Sequence, residues 1–244
     1  ILEHLSDYPV AVNASGRLSL RNMESGPEGV EDTPSGLNRV SIHGLVLPGG
    51  VAGPVTDSVF NAILLEDVNH WQDKMRRPND WGNTFNNGIE TCFPGAVRVG
   101  YDAADLLKRL KKRISLTVYP NLWITQGGGG IETLAAVPLT INEMLMQSYE
   151  GVLRVFPNWI MDQDASFQKL RAYGAFLVSA CLRSGVIDSV ELISEKGMPC
   201  TMENPWKGQS VQLWRNGDKA ETVSGNRFVF KTSEGECIVL CPKD

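Results

Sequence analysis

The sequence predicts an α+β fold in which a helical first half is followed by a small antiparallel β-sandwich or sheet domain. Three observations predict it. Apolar residues recur at helical spacing up to about residue 150. From Gly151 onward, short apolar runs alternate with turn residues. The predicted helices are separated by loops longer than those of simple bundles, which is typical of toroidal (α/α) barrels whose loops build one face. We therefore divide the chain into residues 1–150 and 151–244.

Three helices are predicted in the first half. The first begins near Thr56 and carries an apolar face that consists of Val59, Phe60, Ile63, Leu64 and Val68. The second is capped by Asp102 and directs four apolar residues inward, namely Leu106, Leu107, Leu110 and Ile114. The third is LAAVPLTINEMLMQSY, with Pro138 at or near its start and with Met144 and Met146 as core residues.

About six strands are predicted in the second half: GVLRVFP, AFLVSACL, VIDSVELISE, QSVQLWRNG, RFVFKT and CIVLC. Asn216-Gly217 and Glu234-Gly235 lie where hairpins are expected to close. Trp206, in Asn204-Pro205-Trp206, and Trp214 are expected to pack between domains, with a sugar-binding face as the alternative.

Composition excludes several classes of protein. With 42% hydrophobic residues, 21% charged residues and a net charge of −5, the chain has no basic footprint, so we expect no nucleic-acid partner. No apolar run approaches the ~20 residues of a membrane helix, so we expect no membrane partner. The five cysteines form no CxxC pair and the three histidines are scattered, so most cysteines are expected to be buried thiols and no metal site is predicted.

The first residues lack Met and read like the end of a helix, so we expect the chain to start inside a domain.

Four consecutive glycines, Gly127 to Gly130, precede the third predicted helix. Glycine admits positive φ and a close backbone approach, at a cost in conformational entropy. Polar side chains surround the run: Gln126, Glu132, Glu143 and Gln147. A glycine-rich turn with carboxylates at its edge is one way to bring polar groups to a ligand. The residues by themselves favour a flexible loop between two elements.

Four segments in this region together resemble a known family. They are Gly127–Glu132, Asn142–Ser148, Phe156–Trp159 and Phe167–Ala180. Their order and spacing resemble glycoside hydrolase family 95, the 1,2-α-L-fucosidase family, at the end of its catalytic domain. The resemblance implies that residues 1–150 are the later part of a six-hairpin (α/α) toroid and that residues 151–244 are a C-terminal β-domain. It also implies that part of the active site lies upstream of this chain.

The resemblance implies that Glu28 is the general acid. Glu28 stands in Ser25-Gly26-Pro27-Glu28, which is similar to the loop that holds the family's acidic residue. Glycoside hydrolysis needs one carboxyl group that stays protonated near neutral pH, and burial raises the pKa of a glutamate far enough. Glu24, Glu31 and Asp32 lie so close that the choice among them stays open. A solvated acidic loop is the alternative.

Several further residues are implied to line the sugar subsite. His43 stands in a Ser41–Gly49 turn similar to one of the family, with a buried structural histidine as the alternative. Trp81 is expected to stack on a pyranose face and Asn83 to bond a hydroxyl, although Trp81 could equally anchor its helix. Trp123 is assigned to the same subsite.

The chain departs from the family pattern at its second catalytic group. Gln126 occupies the position of an aspartate that helps the family to activate water. Glutamine cannot accept a proton, so we assign the second catalytic carboxylate to Glu132, with Gln126 beside it.

The expected activity is inverting hydrolysis of α-linked fucosyl or related sugar residues in an oligosaccharide or polysaccharide. No metal or organic cofactor is implied, because two carboxyl groups suffice for this chemistry. Two alternatives stay open: a non-catalytic carbohydrate-binding relic, and one piece of a split or nicked hydrolase whose partner is the missing N-terminal part. Members of the family commonly act outside the cytoplasm, so we expect an extracellular or periplasmic location.

Overall fold

The computed structural model describes residues 10–12, 16, 18–20, 58–69, 89–117, 119–121 and 131–243. The chain divides into two compact units, Ile1–Ile141 and Asn142–Asp244. Over the described residues the fold is mixed α+β, with four α-helices and mostly antiparallel sheets. The β part agrees with the predicted fold class. The (α/α) toroid stays a prediction.

The four described helices are α1 (Ser58–Asn69), α2 (Ile89–Val99), α3 (Ala103–Thr117) and α4 (Ile131–Leu145). The first unit also holds two short antiparallel strands, β1 (Val10–Val12) and β2 (Leu18–Leu20). None of the described helices combines the length and the apolar character needed to cross a membrane.

Helix α1 buries a narrower face than predicted. Leu64 and Val68 are fully buried, as expected, but Val59 is 71% exposed. Val59 precedes Leu64 by five residues, which places it about 140° around the helix from Leu64. The polar Asn61 is buried instead, and its Nδ2 donates to the carbonyl oxygen of Val99 at 3.2 Å.

Two helices contain a proline in their interior. Pro94 lies inside α2, a helix that the sequence pattern did not predict. Pro138 lies inside α4 rather than near its start, so that prediction was wrong. An interior proline removes one helical hydrogen bond and clashes with the preceding turn. In α2, burial of Phe93, Ala96 and Val97 opposes that cost.

Helix α3 agrees with its prediction at the cap and the core. The backbone N–H of Asp105 donates to Oδ1 of Asp102 at 2.7 Å, which is the expected N-cap bond. Leu106, Leu107 and Leu110 are buried, and Ile114 is half-buried. Helix α4 is shorter than predicted at its C-terminal end, because the chain becomes extended after Leu145.

The second unit is built from ten strands. They are β3 (Met146–Gln147), β4 (Val152–Val155), β5 (Ala165–Ala172), β6 (Phe176–Arg183), β7 (Val186–Ser194), β8 (Cys200–Glu203), β9 (Val211–Arg215), β10 (Asp218–Val223), β11 (Arg227–Phe230) and β12 (Cys237–Pro242). A six-stranded antiparallel sheet has the order β10-β9-β12-β7-β6-β5. A four-stranded sheet has the order β11-β8-β4-β3, in which β4 and β8 are parallel.

The two sheets of this unit share one apolar core. Val178 on β6, Leu192 on β7 and Leu240 on β12 are fully buried on one face of the six-stranded sheet. The rings of Phe156, which follows β4, and Phe167 on β5 lie 5.5 Å apart between centroids. These contacts make the unit a two-layered β-sandwich, as predicted for the second half.

The structure contains one of the two hairpins that the turn residues predict. Asn216 and Gly217 join β9 to β10 with φ values of 49° and 94°, as a type I′ turn requires. Glu234-Gly235 closes no hairpin, so that prediction was wrong. It lies between β11 and β12, which belong to different sheets.

An ion-pair network around Arg215 contacts the segment that connects β11 to β12. Arg215 on β9 donates to Glu236 at 2.7 Å, to Glu221 at 2.5 Å and to the carbonyl oxygen of Lys231 at 2.9 Å. The buried Glu236 in turn accepts from the backbone N–H of Ser233 at 2.8 Å. Arg215 therefore fastens the end of β11 to the six-stranded sheet.

Candidate functional site

The predicted active-site residues fall almost entirely outside the described part of the chain. They are Glu28, His43, Trp81, Asn83, Trp123 and Gln126, and the Gly127–Gly130 run also lies outside. Glu132 is the second residue of α4, and only its backbone is described. The assigned roles of these residues therefore stay predictions.

The side chains of helix α4, which contains most of the Asn142–Ser148 segment, are described from Ala135 onward. Met144 is fully buried, which confirms it as a core residue, whereas Met146 is half-buried. Glu143 is also buried, and its carbonyl oxygen accepts from Nε2 of Gln147 at 3.1 Å. The C-terminal part of α4 is thus held firmly where it passes into the β-sandwich.

A polar cluster surrounds Arg154 on β4. The Arg154 side chain is only 5% exposed. Its Nε donates to Oε2 of Glu203 at 3.2 Å, and its Nη2 lies 3.8 Å from Oε2 of Glu150. These two nitrogens form one edge of the guanidinium, so both carboxylates lie along that edge.

Backbone and aromatic groups surround the rest of the guanidinium. Nη1 donates to the carbonyl oxygens of Val152 at 3.2 Å and Tyr149 at 3.5 Å. The Arg154 Cζ lies 4.7 Å from the centroid of the Tyr149 ring, within cation–π distance. One buried cation therefore ties the turn after β3 to strand β8.

Sequence reasoning did not single out Arg154, although a signal exists. The run GVLRVFP is apolar except for this arginine, and every residue of β4 is buried. An arginine in a strand buried on both faces needs charged or carbonyl partners. The two carboxylates stay partly accessible, at 20% for Glu150 and 40% for Glu203. The arrangement can therefore hold two hydrogen-bond acceptors in place at the surface.

Asn204 and Trp206 do not form a sugar-binding face, because both are buried inside the sandwich. Asn204 Nδ2 donates to the carbonyl oxygens of Gln209 at 2.9 Å and Gly225 at 3.0 Å. Trp206 Nε1 donates to the carbonyl oxygen of Ile187 at 2.7 Å. Their packing lies within this unit rather than between domains.

The described cysteines agree in part with the predicted buried thiols. Cys200 is buried, and desolvation raises the pKa of its thiol to about 12. Cys181, Cys237 and Cys241 are half-buried and free. No group of three or more histidine, cysteine, aspartate or glutamate side chains is placed to hold a metal ion among the described residues.

Comparison with known proteins gives weak structural neighbours only. No family model matches the chain, and no curated protein matches it. A GH127 β-L-arabinofuranosidase from Geobacillus stearothermophilus T6 is 14% identical, with a TM-score of 0.28 over 62% of this chain and 30% of that one. A family 44 xyloglucanase from Paenibacillus polymyxa is 12% identical, with a TM-score of 0.24 over 65% of this chain and 42% of that one.

A third neighbour is the family 44 endoglucanase Cel44A from Clostridium thermocellum. It is 11% identical, with a TM-score of 0.22 over 75% of this chain and 51% of that one. All three neighbours are glycoside hydrolases, and this chain spans less than two thirds of each. TM-scores this low do not define a shared fold, and none of the three belongs to family 95.

Proposed function

We propose that this chain is part of an inverting glycoside hydrolase that removes α-linked fucosyl or related residues from glycans. The observation that carries the proposal is the order of its four motif segments. The Asn142–Ser148 segment spans the end of α4 and strand β3, and Phe156-Pro157 directly follows β4. Phe167–Ala180 spans the hairpin of β5 and β6. The resemblance implies a helix, then a strand, then the opening of the β-domain, and this order of segments supports the proposal.

In this proposal Glu28 protonates the departing glycosidic oxygen and Glu132 helps to activate water. Glu132 lies in the first turn of α4, where a negative charge is favoured by the helix dipole. That position suits a carboxylate acting in its ionised form. His43, Trp81, Asn83, Trp123 and Gln126 complete the proposed sugar subsite.

The specific observation that favours a second candidate is Gln126, which stands where the family has an aspartate and cannot accept a proton. A carbohydrate-binding protein without turnover is therefore the alternative. A split hydrolase, completed by a second polypeptide, is the other arrangement that fits the resemblance.

The deciding experiment combines an intact mass of the purified chain with hydrolysis of nitrophenyl α-L-fucoside, α-L-galactoside and fucosyl oligosaccharides. We expect turnover when the polypeptide that completes the active site is present, and NMR of the first product should then show an inverted anomeric configuration. Glu28→Gln should lower kcat by about 10²–10⁴-fold with little change in binding, because it removes the proton donor. Glu31→Gln is the matched control and should leave kcat nearly unchanged.

The other outcomes separate the candidates. Turnover that needs a copurifying polypeptide identifies a split enzyme, and glycan-array binding without turnover identifies the binding protein. A chain that neither cleaves nor binds glycans would falsify the proposal. Equal loss of kcat in both glutamate variants would reject Glu28 as the specific acid.

A further inference from the structure

The outer face of the six-stranded sheet carries one continuous row of residues. Ser179 on β6 pairs with Glu191, Glu191 with Val239, Val239 with Trp214, and Trp214 with Lys219 on β10. Residues directly opposite one another on neighbouring strands point to the same face of the sheet. We call these five residues the Trp214 row.

The row lies on the face opposite to the sandwich core. The adjacent inner row, Ala180, Val190, Leu240 and Leu213, is buried. In the Trp214 row, by contrast, Trp214 is 37% exposed, Lys219 is exposed, and Glu191 and Val239 are half-buried. Leu177 and Ile193, paired with each other in the next outer row, are half-buried too. The face therefore offers an accessible apolar centre.

The two charges of the row stand on either side of that centre. Glu191 and Lys219 are three strands apart, or about 14 Å at the usual strand spacing. At that distance they cannot form an ion pair with each other. Within the described residues, neither has an ion-pair partner.

The charges of the row would match those of a second copy of the row placed in the reverse direction. Read across the strands the row is acid, valine, tryptophan, base. Consider a second copy whose sheet faces the first across a twofold axis that runs parallel to the strands, midway between Val239 and Trp214. The axis reverses the order of the row in the second copy. Glu191 then faces Lys219 of the other copy, and Trp214 faces Val239. This is an isologous contact, in which one patch pairs with itself.

We propose that the outer face of the six-stranded sheet is a self-association surface that binds a second copy of this chain through the Trp214 row. Charge complementarity selects this occupant. An apolar centre with an acid at one end and a base at the other is satisfied by the same row turned around, and two ion pairs form per contact. Opposite charges across an interface set its register and its specificity.

The test is sedimentation velocity of the full chain over a range of concentrations at low ionic strength. The parent should form a dimer that weakens as salt is added, because exposed ion pairs are screened. Lys219→Glu and Glu191→Lys each place like charges opposite one another twice. Each should weaken dimerisation about tenfold or more. The double variant E191K/K219E restores opposite charges and should recover the parent affinity.

Lys207→Glu is the matched control, since Lys207 is an exposed lysine in the connection between β8 and β9. It changes the net charge as Lys219→Glu does and should leave the dimer unchanged. Circular dichroism of each variant establishes that the fold is retained. A parent that stays monomeric overturns the proposal. So does a double variant no better than the singles, or glycan binding that depends on Trp214 in a monomer.

Discussion

At the residue scale, Arg154 is a guanidinium whose side chain is only 5% exposed. A buried guanidinium loses hydration that only several partners together can replace. Arg154 has two carboxylates, two carbonyl oxygens and an aromatic face within contact distance. Its partners include residues of the turn after β3 and of β8, so one side chain connects two segments that are distant in sequence.

We expect Arg154→Met to lower the free energy of unfolding by about 2 kcal/mol or more, since it removes the charged hydrogen bond to Glu203 and leaves two buried carbonyl oxygens without their donor. The matched control is Arg171→Met. Arg171 pairs with Glu195 through a side chain that is 63% exposed, so this substitution should have little effect. Urea unfolding monitored by circular dichroism measures both. Equal losses would show that burial is not what makes Arg154 important.

At the element scale, α3 is stabilised by a polar row at four-residue spacing. The hydroxyl of Tyr101 donates to Oδ2 of Asp105 at 2.6 Å, and Arg109 forms an ion pair with the same carboxylate. Residues four apart lie on one helix face, so Asp105 and Arg109 meet there, and Tyr101 reaches the same carboxylate from just before the helix. Burial, followed by the hydrogen bond to Asp105, raises the pKa of Tyr101 to about 12.

This pKa predicts an alkaline loss of stability. Because the pKa in the folded state lies above the ordinary value of about 10, the stabilisation is complete below pH 10 and is lost as the pH rises to about 12. Tyr101→Phe removes the titrating group. The stability difference between parent and variant should therefore shrink over that interval, as measured by urea unfolding at each pH. Tyr173→Phe, at an exposed turn, is the control for the loss of one tyrosine hydroxyl.

At the scale of the whole molecule, the chain forms two compact units with a boundary inside α4, between Ile141 and Asn142. Leu192 on β7 is fully buried in the second unit, and Leu64 on α1 is fully buried in the first. Each leucine therefore reports on the core of one unit.

We expect Leu192→Ala to destabilise the β-sandwich by about 2–5 kcal/mol, as a large cavity in a packed core does. Calorimetry measures the loss of stability. Hydrogen exchange should show that amide protection falls first across β6, β7 and β12. Leu64→Ala is the counterpart and should lower protection in α1 and α2 instead. If both substitutions lower protection uniformly along the chain, the two units unfold as one.

Only part of the Arg154 cluster could be predicted from sequence. The apolar run around Arg154 signals that the arginine is buried, but Glu203 lies 49 positions further along the chain. No local pattern identifies that partner. Glu150 is close in sequence, but its backbone adopts a positive φ of 57°, which is uncommon for glutamate and is not expected from the local sequence.

Sequence alone determined the features that neighbouring residues decide among themselves. The Asn216-Gly217 turn, the Asp102 cap and the alternation along β6 all follow from local backbone preference and periodicity. Tertiary structure alone decided that Pro94 and Pro138 lie inside helices, that β4 pairs in parallel with β8, and that Glu234-Gly235 connects two sheets. The physical reason is that these outcomes depend on burial and pairing summed over residues far apart in the chain. That sum exceeds the small local preferences. A short window of sequence does not contain the distant residues that contribute to it.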